Sequence, residues 1–299
     1  MMQSGAISKG EEVNTIAEER TEIVIAPSTG WAKIDFKGLI AYRDLITLMV
    51  GRDFAAKYRQ TILGPAWFVI QPLLTTIVFT VIFGKVAGIS TDGTPKFLFY
   101  LCGLLGWGYF SGVLNHSGNT FVVHKGLMTK VYFPRMVLPL TASLSQLIAL
   151  SIQIVTFLGF YLYYLFFTSW GETVQFNWMV LLFPLLILQA GITGLGVGFL
   201  TSAASAKYRD LNFLLGFLVQ IWMYSTPIIY PFSKIPEEYQ TWMALNPMTT
   251  VVETIKFGFL GVGGVPPVNY LISISVSIVV FIIGAAVFKR TERRFVDTV

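Results

Sequence analysis

Two basic residues with anion-binding chemistry stand just before the first long apolar stretch of this chain. Lys57 and Arg59 precede Pro65 and end a segment in which apolar residues recur every three or four positions, as on one face of a helix. Such side chains can hold an anionic group at the edge of a membrane, and arginine can do so through two parallel hydrogen bonds. The alternative is that both residues only set the orientation of the chain and bind ordinary anionic lipid.

A second group with possible binding chemistry is aromatic. Tyr161, Tyr163, Tyr164 and Trp170 gather near the end of the third apolar stretch. Aromatic side chains at this position commonly anchor a helix at the membrane interface. The alternative is a stacking surface for sugar rings in a conduit, and the sequence leaves both interpretations open.

Catalytic and metal-binding motifs are absent from the sequence. It contains neither a G-x-x-x-x-G-K-[ST] phosphate loop nor a Rossmann glycine run, and its single cysteine, Cys102, cannot form an intrachain disulfide. The apolar stretches carry no Asp, Glu, Lys or Arg, and only His116 could titrate there, which argues against an ion-coupled transporter. We therefore expect no metal and no bound cofactor, and any energy for uphill transport would enter through another subunit.

The composition indicates an all-α protein that crosses the membrane several times. Hydrophobic residues make up 54% of the 299 residues and charged residues only 12%, against about 25% in soluble proteins. The mean hydropathy is +0.66. A bilayer core of about 30 Å requires roughly 20 helical residues. Six stretches meet this requirement, and we number them spans one to six: 66–84, 97–123, 137–167, 178–204, 211–230 and 268–288.

The remaining segments are placed relative to these spans. Residues 1–34 are polar, lack a signal peptide and are expected to form a flexible cytoplasmic tail, and residues 35–299 form the transmembrane domain. Residues 36–58 are expected to form an amphipathic helix at the interface. Near the span ends, thirteen Lys and Arg residues fall on one side of the membrane and four on the other, which predicts that both termini are cytoplasmic.

One inner segment could receive force from a partner subunit. Residues 124–135 are short and basic, and they can form a compact element that a partner contacts through Lys130, Tyr132, Phe133 and Arg135. A rigid element there could transmit a movement of the partner to spans two and three. The alternative is an ordinary basic loop on the inner side.

The last outer segment is predicted to close the opposite end. Asn246 can cap a helix that begins at Pro247, and glycines toward residue 264 can turn the chain back. Residues 247–264 are therefore predicted to form a pair of short re-entrant helices, with Phe257 and Phe259 at an outer mouth. The alternative is an amphipathic helix on the surface outside the membrane.

Several short motifs are spread along the chain. They are Tyr58-Arg59-Gln60-Thr61, Leu63, Gly64, Trp67, Gln71-Pro72, Phe83-Gly84, Val131-Tyr132-Phe133-Pro134-Arg135, Leu138-Pro139, Tyr208-Arg209-Asp210, Gln220, Trp222, Pro227, Tyr230-Pro231 and Asn246-Pro247. Together they resemble the membrane subunits of ABC-type polysaccharide exporters. The resemblance covers roughly residues 35–290 and is strongest to O-antigen exporters, with teichoic-acid and capsule exporters related.

This resemblance implies a mechanism and a set of partners. Two copies of the chain would assemble with two ATP-binding subunits, which bind ATP and Mg²⁺, in the bacterial inner membrane. The substrate would be a polysaccharide linked to undecaprenyl pyrophosphate, with Lys57 and Arg59 holding the pyrophosphate at a lateral entrance between spans one and five. Residues 124–135 would form a coupling helix, and Lys207, Arg209 and Asp210 a second contact with the ATPase.

Two other classes of protein remain open from the residues alone. A polytopic glycosyltransferase would need acidic catalytic residues on a loop, whereas the outer carboxylates are scattered. These carboxylates are Asp92, Glu172, Glu237, Glu238 and Glu253. An ATP-independent flippase or channel would need no partner, so co-purification with an ATPase separates it from an exporter.

Overall fold

The computed structural model describes residues 41–58, 61–128, 133–208 and 210–297. Within these ranges the chain forms helices and turns and no strand, as the all-α prediction requires. The longer helices are α1 (Arg43–Tyr58), α2 (Trp67–Phe79), α3 (Lys96–Gly118), α4 (Val137–Phe167), α5 (Phe183–Ser205), α6 (Leu211–Tyr224), α7 (Glu237–Met243), α8 (Pro247–Leu260) and α9 (Pro267–Asp297). One-turn helices at Thr120–Val123 and Lys125–Met128 follow α3.

Helices long and apolar enough to cross a membrane occupy five of the six predicted positions. In the described part of the chain these stretches are Gly64–Val86, Lys96–Gly118, Val137–Phe167, Trp178–Ser205 and Pro267–Glu292. They correspond to spans one, two, three, four and six. A bilayer requires every backbone polar group to form a hydrogen bond within the protein, so apolar helices are the expected solution.

The predicted fifth span is shorter than the sequence indicated. The helix α6 has 14 residues, a length of about 21 Å, whereas the hydrocarbon core is about 30 Å thick. Beyond Tyr224 the chain forms turns. Pro227 has no N–H to continue the helical ladder, and it disfavours the helical conformation at Thr226. The prediction of one helix over 211–230 is therefore wrong in its length.

Span two is the centre of the bundle. Of its most apolar stretch 72% is buried, against 11% for span one. It packs against spans three and four, and span four packs in turn against span six. A Cβ at Gly198 of span four would lie 2.5 Å from the Cβ of Ser117, so only glycine allows this approach. The GxxxG pair Gly194 and Gly198 therefore serves packing within this chain.

Span one has an irregular backbone. It begins in a 3₁₀ turn at Gly64–Ala66, contains Pro72 and ends in a π-helical segment at Thr80–Val86. Proline and π-helical turns interrupt the regular hydrogen-bond ladder and allow a helix to bend. Because few of its side chains are buried, span one offers a face to lipid or to a second copy of the chain.

A single helix occupies the range for which two short helices were predicted. The helix α8 runs over Pro247–Leu260, and residues 261–266 continue without helix. Every residue of α8 except Phe257 is buried, against span two, span four and span six. The prediction of a helix pair is therefore wrong. Burial on all sides also contradicts the alternative of a surface helix, and its position relative to the membrane stays a prediction.

The N-terminal part of the predicted domain is described from residue 41. The helix α1 lies within the predicted interval 36–58 and packs against span three, where Met49 is buried while Leu48 is exposed. The predicted tail, residues 1–34, lies outside the described residues. The location of α1 at a membrane interface stays a prediction.

Candidate functional site

A cavity of about 470 Å³ lies where α1 meets the beginning of span one, the end of span two and the beginning of span three. We call it the inner cavity. Its polar lining consists of Asn115, His116, Asn119, His124, Ser145 and Gln146. Asp53 and Phe54 of α1 and Phe68 of span one line the other side. Both histidines of the chain therefore lie at one cavity, next to the helix that carries the predicted basic entrance.

Hydrogen bonds within the inner cavity leave acceptor atoms for a ligand. Asn115 and Asn119 each donate from the side-chain nitrogen to the carbonyl one helical turn earlier, at 2.8 Å. The structure records no partner for either side-chain oxygen among the described residues. Gln146 of span three occupies the space that Gly112 leaves, and its Nε2 lies 3.2 Å from Nδ1 of His116. The cavity wall thus presents amide and imidazole groups suited to hydroxyl groups of a polar ligand.

Of the two predicted entrance residues, Lys57 belongs to a helix that lines this cavity and Arg59 lies outside the described residues. Lys57 belongs to α1 and follows Asp53 by four positions, a spacing that places both on one helix face. Asp53 itself accepts a hydrogen bond from Arg52 at 2.9 Å. Arg59 lies outside the described residues, so its role at the entrance stays a prediction.

Acidification is expected to destabilise the packing around the inner cavity through His124. Burial lowers the pKa of His124 below its ordinary value of 6.5; the nearby Asp53 opposes this shift and Arg52 adds to it. The unfolded state therefore binds the proton more readily. The stabilising contribution is complete above about pH 6.5 and is lost as the pH falls from there toward the lowered pKa. Thermal unfolding of the purified protein at a series of pH values measures this effect. His124→Gln should flatten the pH dependence, and an unchanged slope in this variant would contradict the assignment.

The predicted coupling segment is joined to the end of span six. The backbone N–H of Arg135 donates to Oε1 of Glu292 at 3.2 Å, and its Nη1 donates to the Glu292 carbonyl oxygen at 3.1 Å. Phe133 is buried in the hydrophobic core, so its ring supports the segment from within. A movement of this segment would consequently reach span six as well as spans two and three.

The other predicted coupling residues are only partly described. Lys207 and Asp210 are exposed at the turn between span four and α6, and the Lys207 ammonium lies 5.0 Å from the ring centre of Tyr208. Lys130, Tyr132 and Arg209 lie outside the described residues. Exposed residues at this turn can meet a partner, and their coupling role stays a prediction.

The predicted start of the outer helix is confirmed. Asn246 caps α8, its Oδ1 accepting from the N–H of Met248 at 3.1 Å, and Pro247 is the first helical residue. The same oxygen accepts from Nε1 of Trp222 at 2.8 Å, and Nδ2 donates to Thr226 at 3.0 Å. Two motifs of the resemblance, 24 residues apart, therefore meet in one hydrogen-bond network that ties α6 to α8.

A buried ion pair in α8 was missed by the sequence analysis. Lys256 and Glu253 are completely buried, with 3.0 Å between Nζ and Oε1. The ammonium also donates to the Pro227 carbonyl and lies 3.8 Å from the ring centre of Phe99. The sequence analysis had taken both residues for outer-loop charges. The Glu-x-x-Lys spacing in an apolar helix was the signal for such a pair.

The four aromatic residues at and just beyond the end of span three do not form one surface. Tyr161 is buried and packs against Phe259 of α8, with ring centres 6.1 Å apart. Tyr163 is exposed and stacks on Phe167 at 5.9 Å. Tyr164 and Trp170 line a cavity at the end opposite the inner cavity. Tyr161 and Phe259 are thus core residues in this chain.

The chain is similar, over most of its length, to membrane proteins of polysaccharide export and transport. The profile described as ABC-2 type transporter matches residues 44–260. The O-antigen export system permease protein RfbA of Myxococcus xanthus is 28% identical, over 87% of this chain and 97% of that protein. A protein of the same name from Klebsiella pneumoniae is 25% identical, over 85% and 94%. The polysialic acid transport protein KpsM of Escherichia coli is 24% identical, over 81% and 91%.

Proposed function

This chain belongs to the ABC-2 type transporter family, and from this premise we propose that it is the membrane subunit of an ATP-driven polysaccharide exporter. The observation that carries the proposal is the extent of the similarity, which covers 97% of the RfbA permease of Myxococcus xanthus. The substrate is an O-antigen-type polysaccharide linked to undecaprenyl pyrophosphate, moved from cytoplasm to periplasm. The second candidate substrate is a capsular polysaccharide, as the similarity to KpsM suggests, or a teichoic acid.

The energy for export comes from a separate subunit. The sequence contains no phosphate-binding loop, so ATP and Mg²⁺ bind to the partner and not to this chain. Two copies of the chain assemble with two such subunits. The exposed apolar face of span one supports a second copy, because large exposed apolar faces mark contacts with lipid or protein.

The chain crosses the membrane six times, with both termini in the cytoplasm. At one end of the bundle Arg135 binds Glu292, and Leu215 near the start of α6 reaches the end of span two. At the other end Ser233 donates to Asp92 at 2.7 Å. The segment between Leu215 and Ser233 therefore serves as the fifth crossing, although its helix is short.

The inner cavity and the basic residues beside it receive the substrate. Lys57 and Arg59 hold the pyrophosphate at the cytoplasmic boundary, since its charge cannot enter the hydrocarbon. The amide oxygens of Asn115 and Asn119 accept hydrogen bonds from the first sugars. Span one packs against spans two and three, and α6 packs against spans two and four. Because spans one and five pack against spans two to four and make no extensive contact with each other in the described part of the chain, the second copy completes an entrance between them.

The two ends of the bundle have different roles: one couples the chain to the ATPase, and the other closes the conduit. Residues 124–135 and 207–210 contact the ATPase, and the bond between Arg135 and Glu292 carries its movement to span six. At the outer end α8 closes the conduit. Its burial and its link to α6 through Asn246 support this role, because a closed mouth must be held by several elements.

The purified complex provides the test of this function. We expect the chain to co-purify with an ATP-binding subunit, whose ATP hydrolysis rises when lipid-linked polysaccharide is added. Arg59→Ala should weaken this stimulation about fivefold at low substrate concentration, since one basic contact near an anionic surface is worth about 1 kcal/mol. Arg43→Ala is the matched control, because Arg43 is an exposed arginine at the start of α1 and pairs only with Asp44 in the described structure.

One outcome would contradict ATP-driven export, and another would contradict only the entrance role of Arg59. A chain that moves the lipid-linked substrate in vesicles without any ATP-binding subunit would be an ATP-independent flippase. Equal stimulation in the parent, Arg59→Ala and Arg59→Lys would remove Arg59 from the entrance, while leaving export itself intact.

A further inference from the structure

A second cavity of about 470 Å³ lies at the end of the bundle opposite the inner cavity. We call it the outer cavity. It is an open cavity bordered by the end of span one, the loop before span two, the end of span three and the turn that follows span three. The side chains that matter for its chemistry are Lys85, Lys96, Phe97, Tyr164 and Trp170. Its volume falls in the range of about 300–1,000 Å³ that is usual for small-molecule sites.

The side chains that line the outer cavity carry a net positive charge. Two lysines line it, and its lining contains no aspartate or glutamate. Among the described residues neither lysine has a carboxylate within ion-pair distance. Lys96 is half-buried, its chain lies across Gly84, and its ammonium donates to the Gly84 carbonyl. Lys85 is exposed. The lining therefore attracts an anionic group. The ammonium of Lys85 has few other contacts in the described structure, so it can turn toward such a group.

The loop that forms one wall of the outer cavity is held in a fixed shape. The hydroxyls of Thr91 and Thr94 each donate to the other's carbonyl at 2.7 Å, and both residues are buried. Asp92 adopts a positive φ of 49° and accepts from Ser233 at 2.7 Å. A wall that is ordered before binding loses little conformational entropy when a ligand arrives.

The aromatic wall adds a surface for an apolar ring face. Trp170 is 43% exposed and follows Thr168, whose hydroxyl accepts from the Trp170 N–H at 3.3 Å and donates to the Tyr164 carbonyl at 2.7 Å. The turn thus holds both aromatic residues at the cavity. A pyranose combines an apolar face, which packs on an aromatic ring, with hydroxyls and, in acidic sugars, a carboxylate or phosphate.

We propose that the outer cavity binds an acidic saccharide unit, bearing a carboxylate or phosphate, of the polysaccharide that leaves the conduit. The inference rests on the proposed function and names the substrate class more closely. The two lysines bind the anionic group and the rings of Tyr164 and Trp170 pack on the sugar. The alternative occupant is the head group of an anionic lipid. The fixed polar wall and the rings of Tyr164 and Trp170 suit a saccharide better than a lipid head group.

Equilibrium binding in nanodiscs tests the proposal. The chain with its ATP-binding partner is placed in discs of phosphatidylcholine alone, and binding of fluorescent trigalacturonate is followed by polarisation, with galactotriose as the neutral probe. We expect trigalacturonate to bind about tenfold more tightly, and Lys85→Gln to weaken it about fivefold. Trp170→Leu should weaken binding of both saccharides. Lys234→Gln, an exposed lysine of the following outer loop, is the matched control and should change neither.

Three results would overturn the proposal. One is equal affinity of the parent and Lys85→Gln for trigalacturonate. Another is equal binding of the two saccharides. The third is displacement of trigalacturonate when phosphatidylglycerol is added to the discs, which would assign the cavity to lipid. None of these alters the ATPase stimulation described for Arg59, so failure here is distinguishable from failure of the export function.

Discussion

Lys256→Met is expected to destabilise the protein strongly, because it leaves the Glu253 carboxylate buried without its partner. Both side chains are completely buried and joined at 3.0 Å. Removing one member of a buried pair typically costs about 3–5 kcal/mol. The loss extends further here, since the ammonium also holds the Pro227 carbonyl and lies on the ring of Phe99. Thermal unfolding in detergent, with export in cells as a second readout, measures the effect.

A double variant separates the interaction within the ion pair from the effects of each single substitution. Glu253→Gln together with Lys256→Met removes both charges, so it should be markedly more stable than the sum of the single effects predicts. Lys234→Met, at an exposed lysine, is the control for loss of positive charge. Unchanged unfolding in Lys256→Met, or strictly additive effects in the double variant, would show that the pair contributes little.

Gly284→Ala is expected to separate span four from span six and to abolish export. A Cβ at Gly284 would overlap the carbonyl oxygen of Gly196, far closer than any tolerated contact. Backbone atoms on both helices must therefore move apart. Overpacking of this kind commonly costs about 1–3 kcal/mol, and the cost rises when backbone has to shift. Thermal unfolding and surface export of the glycan report the loss.

A matched glycine provides the control for this substitution. Gly159 lies in the helix of span three, and a Cβ there would meet no atom within 4 Å. Gly159→Ala should therefore leave unfolding and export unchanged or slightly improved, because alanine favours the helix. Equal losses in both variants would mean that close packing at Gly284 is not the cause.

The sequence contained enough information for the helices and for one helix start. Apolar length alone located spans one, two, three, four and six, since a bilayer accepts only helices of sufficient length. The Asn246-Pro247 start of α8 was also predictable, because a cap depends on residues within one turn. The predicted length of the fifth span was wrong because hydropathy extends the apolar stretch to residue 230, whereas Pro227 interrupts the ladder of backbone hydrogen bonds.

The sites depended on contacts that no local pattern contains. Arg135 meets Glu292 across 157 residues of sequence, and Trp222 meets Asn246 through the packing of α6 beside α8. Lys85 at the end of span one and Trp170 in the turn after span three line one outer cavity.

Hydropathy and capping act over a few neighbouring residues, so the sequence by itself determined an all-helical protein with long apolar spans and the start of α8. Which charges are buried and which cavities form depends on the helices that surround them. Glu253 and Lys256 looked like loop charges in the sequence, yet both are completely buried, and the Lys256 ammonium contacts the Pro227 carbonyl and the Phe99 ring of span two. Only the tertiary structure could decide this, because burial is a property of the neighbours and not of the residue itself.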